Sequence, residues 1–330
     1  MFISIFNALE SGVIYAIMAL GVYLSFRVLD FPDLTVDGSF VTGAAVAAML
    51  IINGYSPITA TILAAIAGFI AGCITGILHT KGKINPLLSG ILMMIALYSI
   101  NLRIMGGKAQ LSMLNEDTLF NRLGMLWDKT GIDAFLNNIV SSMGLDRTPY
   151  TWSIFIMMFI LTIVIKLLTD YFLKTEVGLA LRATGDNQKM IRSFSANTDY
   201  LIIIGLGISN GFVALSGGLI AQHGGFADAG MGIGMIVIGL ASVIIGEALF
   251  GTKTIPRTTL AVIFGAIIYR IVVTLALKAD FLETGDMKLI TALLVIVALV
   301  VPKIVQTSRE KKRRRRKRAM LEEVQTEGVQ

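Results

Sequence analysis

GSFVTGAAVAAMLIINGYSPITATILAAIAGFIAGCITGILHT, residues 38–80, runs for 43 positions without an Asp, Glu, Lys or Arg. A helix needs about 20 mostly apolar residues to cross the hydrocarbon core of a bilayer, so this stretch is long enough for two crossings. The turn signal Asn53-Gly54-Tyr55-Ser56-Pro57 divides it. Working outward, similar runs recur at 11–26, 84–102, 148–165, 200–227, 229–246, 258–277 (broken only by Arg270) and 289–302. The expected fold is all-α, a polytopic membrane protein of about nine transmembrane helices.

Composition points the same way. Hydrophobic residues make up 55% of the 330 and charged residues 15%, with a mean hydropathy of +0.76. Soluble chains carry about 45–50% apolar and about 25% charged residues, and a soluble fold of this length has no surface for the excess. The net charge of +6 is concentrated in Lys303–Gln330, which holds ten basic and four acidic residues. Residues 1–302 then carry 18 charges of each sign, which separates a neutral membrane domain (1–302) from a basic tail (303–330). Lys311–Arg318 would pass for a nucleic-acid tag in a soluble chain; set after a span it reads as a topology anchor near anionic headgroups, and no nucleic-acid partner is expected.

Cys73 alone excludes an intramolecular disulfide, and His79 and His223 are too few for a histidine metal centre. The opening MFISIFNALESG lacks the basic start of a signal peptide and is interrupted by Glu10, so it reads as the beginning of a retained span.

Lys and Arg in short loops mark the cytoplasmic side. With the tail inside, the inner loops are 80–83, 174–198 and 248–257, and the outer segments are 53–57, 104–147 and 278–288. Segment 104–147 is the one sizeable extramembrane stretch before the tail, and its apolar runs suggest short amphipathic helices. Loop 27–37, with one Arg and three Asp, departs from the pattern.

Two enzyme-like motifs fail on geometry. Gly207-Ile208-Ser209-Asn210-Gly211 has the spacing of a serine nucleophile elbow but lies in an apolar helix. His223 is about 21 Å further along that helix and cannot act as its base. Helix packing is the better reading of such small residues. Residues 246–254 approximate a phosphate-binding loop with one residue too many before Lys253, and they follow a membrane helix rather than a strand.

Ionisable groups in spans are functional candidates because burying charge in lipid is costly. Arg270 is one, with Glu247 or Asp37 as an expected structural partner. Residues 30–39, DFPDLTVDGS, place three carboxylates between two apolar runs. They read either as an inner loop with Asp37 and Ser39 as helix caps, or as a broken helix lining a solute path. Phe31-x-Asp33 recurs as Phe226-x-Asp228, 195 residues later, and Gly12 and Gly207 share that offset, which points to an inverted repeat. Asp33, Thr35, Asp37, Ser39, Asn210, Asp228 and Arg270 are the candidate path residues.

Loop 174–198 combines a short helical middle with charged flanks and a Gly185-Asp186-Asn187 stop. It reads as a solvated loop or as a docking helix presenting Leu179, Leu181 and Met190 beside Arg182. Here EVGLALRATGDNQKM, followed by GLGISNGFVALSGGLIAQ and GLASVIIGEALFG, resembles the permease subunits of bacterial ABC importers. The closest set is the branched-chain amino acid and ribose-type permeases, and within it an uncharacterised subgroup that DFPDLTVDGSF also matches. The resemblance covers about residues 8–302. It implies that Glu176, Gly178, Arg182, Gly185, Asp186 and Asn187 form a coupling helix. It also implies a homodimer or a related second permease, cytoplasmic ATP-binding subunits that hold ATP and magnesium, and an extracytoplasmic solute-binding protein. No cofactor is expected on this chain, which would be a transport subunit of the bacterial plasma membrane rather than an enzyme. An amino acid is the leading cargo, and an ion-coupled secondary transporter is the rival class.

Overall fold

The computed structural model describes residues 2–142, 148–193 and 196–277, with Leu289, Ala292, Leu293, Ile296 and Val300. The expected ninth span, 289–302, lies outside the described residues apart from those five positions, and the tail 303–330 lies wholly outside them. Among the described residues the chain forms eleven α-helices and two short strands. Helix α1 (Phe2–Tyr23) continues as a π-helical turn, Leu24–Val28. Then follow α2 (Thr35–Ile52), α3 (Pro57–Thr80), α4 (Pro86–Ile104), β1 (Gln110–Ser112), α5 (Leu119–Asp128) and α6 (Ile132–Ser142). The remainder is α7 (Ser153–Lys174), α8 (Glu176–Ser193), α9 (Thr198–Gly224), β2 (Phe226–Asp228), α10 (Met235–Phe250) and α11 (Ile255–Ala276). Seven of these helices are long and apolar enough to cross a membrane, and the chain is an all-α polytopic membrane protein.

Local chemistry sets the ends. Pro57 and Pro86 open α3 and α4, where a missing N–H costs nothing, and the Asn85 side chain accepts the Leu87 N–H at 3.0 Å. Asn197 caps α9 in the same way, and Gly225 closes it with φ +73°.

Three spans differ from the expected bounds. Helix α7 runs through Lys166 and Asp170, because the two pair one turn apart at 2.5 Å and Asp170 also accepts the Thr259 hydroxyl of α11 at 2.6 Å. Counting charge-free residues stops short at such a neutralised pair. Helix α1 begins before Glu10, which is buried. The expected span 229–246 is instead a non-helical segment followed by α10, whose 16 residues cover about 24 Å of a core about 30 Å thick. Three glycines at 230, 232 and 234 disfavour helix there, and Gly234 sits at φ +87°.

The inverted repeat has structural form. Helices α1, α2 and α3 recur in order and length as α9, α10 and α11. Ser209 of α9 donates to the Gly21 carbonyl at 2.7 Å and Ser216 to the Ile14 carbonyl at 2.9 Å, so α1 and α9 run antiparallel. Gly12 faces Ile267 of α11, whereas Gly207 faces Cys73 of α3, one residue from the position that the same offset pairs with Ile267. The short segments entering α2 and α10 share a turn as well. Asp33 Oδ1 accepts the Thr35 N–H at 2.9 Å, and Asp228 Oδ1 accepts the Gly230 N–H at 2.7 Å.

One end of the bundle carries α8 and the Arg27–Glu247 ion pair. The other carries amphipathic α5 and α6, as expected of 104–147, and the antiparallel pair β1–β2, which the sequence reading did not anticipate.

Candidate functional site

Two broken spans meet inside the bundle. Helices α2 and α10 occupy matching places in the two halves, and both are short and follow an irregular segment. Such paired discontinuities mark solute sites in repeat-built transporters, because free backbone groups are tolerated at membrane depth only inside protein or along a cavity. Asp37, in the first turn of α2, accepts the backbone N–H of Gly234 at 3.0 Å and of Ile236 at 2.8 Å. It thus caps α10 and places one carboxylate at two helix N-termini, where the helix dipoles favour negative charge.

Around this point the expected path residues divide. Asp33, Thr35, Ser39 and Asn210 are fully enclosed by protein, so in this conformation they do not face a solute. Asp33 Oδ2 accepts the Asn210 amide at 2.6 Å, and the Thr35 and Thr75 hydroxyls are 2.8 Å apart. These bonds fasten the entry of α2 to α9 and α3 halfway along α9. In this conformation the four lie inside the protein, and Asp33, Thr35 and Asn210 bond to one another or to Thr75, as polar groups in an apolar interior do when they can. Ser39 Oγ and Asn210 Oδ1 have no hydrogen-bond partner among the described residues. Asp37 is half-buried and borders a cavity of about 380 Å³ between α2 and α4. Asp228 is half-buried in β2, at the β1–β2 end.

Arg270 has neither expected partner. Its guanidinium bonds the Ser11 hydroxyl at 3.2 Å and lies 4.7 Å from the centre of the Tyr15 ring, which stacks on Phe40. Glu247 is taken by Arg27 and Asp37 by α10. Ser209, the centre of the nucleophile-like motif, is fully buried on the Gly21 carbonyl and is a packing residue.

Helix α8 lies across the opposite end of the structure from β1–β2. One face, Gly178, Leu181 and Thr184, is buried, while Glu176, Leu179, Arg182, Asp186 and Asn187 are exposed. Leu181 was expected on the docking face; it is fully buried because it occupies the inward stripe. Leu179 and Met190 are exposed, at 51% and 44%. A Cβ on Gly178 would come within 2.1 Å of the Phe172 carbonyl, and one on Gly185 within 2.1 Å of the Val28 carbonyl. Both glycines therefore seat α8 against the ends of α7 and α1. The Gly-Asp-Asn stop appears as a kink at Asn187 (φ −154°, ψ 89°), whose side chain caps the following turn through Met190.

Sequence reasoning overlooked Asn101 and Tyr98 of α4. Asn101 donates to the Gly38 carbonyl at 3.2 Å and accepts the Thr42 hydroxyl at 2.8 Å. An amide inside an apolar run was the available signal.

An inverted pair of broken spans around a capped carboxylate, with an amphipathic helix seated on one face, defines a transport permease. The chain belongs to the family described as branched-chain amino acid transport system permease component, whose model matches residues 4–300. It is 42% identical over 292 residues to a tyrosine transport system permease protein of Clostridioides difficile (strain R20291), covering 88% of this chain and 89% of that one. It is also 36% identical over 210 residues to an uncharacterized protein of Rickettsia prowazekii (strain Madrid E), covering 64% and 65% respectively. No solved structure gives a significant match.

Proposed function

We propose that this chain is the membrane-spanning subunit of an ABC importer that moves an amino acid across the bacterial plasma membrane. Separate cytoplasmic subunits bind ATP with magnesium, and an extracytoplasmic binding protein delivers the solute. The functional unit contains two permeases, this chain twice or with a relative, embedded in lipid. The carrying observation is α8, which is seated by Gly178 and Gly185 yet presents Leu179, Arg182 and Asp186 outward. A helix held this rigidly transmits movement of a partner to α7 and α1, and so to the two halves of the bundle. The tyrosine system relative supports an amino acid as cargo.

In this reading the α8 face is cytoplasmic, and the C-terminal tail lies on the same side. Lys81, Lys83, Lys174, Arg182, Lys189, Arg192, Lys253 and Arg257 fall on the inner loops it requires, in line with the positive-inside rule. The test is copurification. The wild-type chain retains its ATPase subunits, and Arg182→Glu inserts normally but loses them. Equal retention by the variant argues against the α8 assignment.

A further inference from the structure

The cavity beside Asp37 combines groups that a lipid-facing surface does not need. Helix α4 contributes Met94, Ile95, Tyr98 and Asn101, a stripe along one side, and the segment after β2 contributes Ile233. Its volume of about 380 Å³ lies in the range of small-molecule sites, which pair mostly apolar walls with a few polar groups. Ile95, Tyr98 and Ile233 are more than half exposed at its rim. Two polar residues border this mostly apolar slot, Asp37, which is half-buried, and Asn101, which is buried.

We infer that this cavity is a selectivity subsite of the permease itself, for an amino acid with an aromatic or long apolar side chain. The inference rests on the transport reading above and deepens it. The Asp37 carboxylate is the group that would complement an α-ammonium group. Its two N–H contacts come from the α10 backbone and hold the carboxylate in place while leaving further lone pairs on each oxygen. The Tyr98 ring, with Met94, Ile95 and Ile233, supplies the apolar wall for the side chain. The Asn101 amide is held by Gly38 and Thr42, so the α4 side of the slot is fixed relative to α2.

The test uses the purified full-length chain and radiolabelled L-tyrosine, with L-alanine as the small-side-chain comparison, measured by equilibrium binding. L-tyrosine should bind saturably and at least about tenfold more tightly than L-alanine. Ile95→Trp, which fills the rim from an exposed position, should abolish L-tyrosine binding, and Tyr98→Ala should weaken it about tenfold with little change for L-alanine. Retained assembly with the ATPase subunits shows that each variant is folded. Absence of saturable binding, as when a second copy of the chain fills the slot, overturns the inference, and so does binding that neither substitution changes. ATP-dependent uptake by the whole importer is measured in parallel. Uptake without a binding effect of these variants removes the subsite alone, and binding without ATP-dependent uptake removes the importer reading alone.

Discussion

The carboxylate of Asp37, in the first turn of α2, holds the backbone N–H of Ile236, in the first turn of α10, at 2.8 Å. One side chain thereby joins the broken spans of the two inverted halves. Replacing it with alanine leaves the Gly234 and Ile236 donors without their acceptor, at about 1–3 kcal/mol for each buried donor. Asp37→Ala should lower the thermal midpoint of the detergent-solubilised protein and abolish uptake. Asp37→Asn keeps one acceptor oxygen and should fall between. An unchanged midpoint in Asp37→Ala would show that the capping bonds contribute little.

Asp33 acts in a different way, as a brace between the entry of α2 and the middle of α9. Asp33→Ala strands the Thr35 N–H, leaves the Asn210 amide with the Leu206 carbonyl alone, and should destabilise by about 2–5 kcal/mol, reducing folded yield along with transport. Asp33→Asn should be milder. Thermal unfolding and uptake per folded protein separate the cases: loss of uptake at wild-type stability would place Asp33 on the path after all.

The buried Lys166–Asp170 pair gives a sign test. Removing one partner leaves an uncompensated charge, so Asp170→Ala should cost about 3–5 kcal/mol. Replacing both residues by leucine or methionine should recover much of that loss, because a well-packed apolar pair avoids the desolvation penalty. A double replacement worse than either single one would mean that the Thr259 hydrogen bond dominates the site.

Gly185 tests the seating of α8. A Cβ there would overlap the Val28 carbonyl, so Gly185→Val should displace α8 and reduce ATPase retention while leaving membrane insertion intact. Retention at the wild-type level in a pull-down with the ATPase subunits would show that α8 tolerates the shift.

These sites show which parts of the molecule could be read from residue order. The 43-residue apolar run and its Asn-Gly-Tyr-Ser-Pro turn correspond to α2 and α3, because transfer to lipid depends on local composition. The Phe31-x-Asp33 echo was legible for a similar reason, since each Asp forms the same short-range turn ahead of a short helix. What escaped was long-range. Arg270 rests on Ser11 and Tyr15, more than 250 residues away, and no local pattern encodes that contact. The α7 boundary was obscured because Lys166 and Asp170 neutralise each other only once the helix exists. Leu181 was placed on the wrong face of α8 because an isolated amphipathic segment does not say which stripe its protein will cover.

In the proposed importer this chain moves solute only when a separate ATPase drives it through α8. Proteoliposomes made with the chain, its ATPase subunits and its binding protein, supplied with radiolabelled L-tyrosine, test it most directly. Accumulation should require ATP on the α8 side, vanish without the ATPase subunits, and fall to background in Arg182→Glu. Accumulation by the chain alone on an ion gradient would contradict the account and favour a secondary transporter.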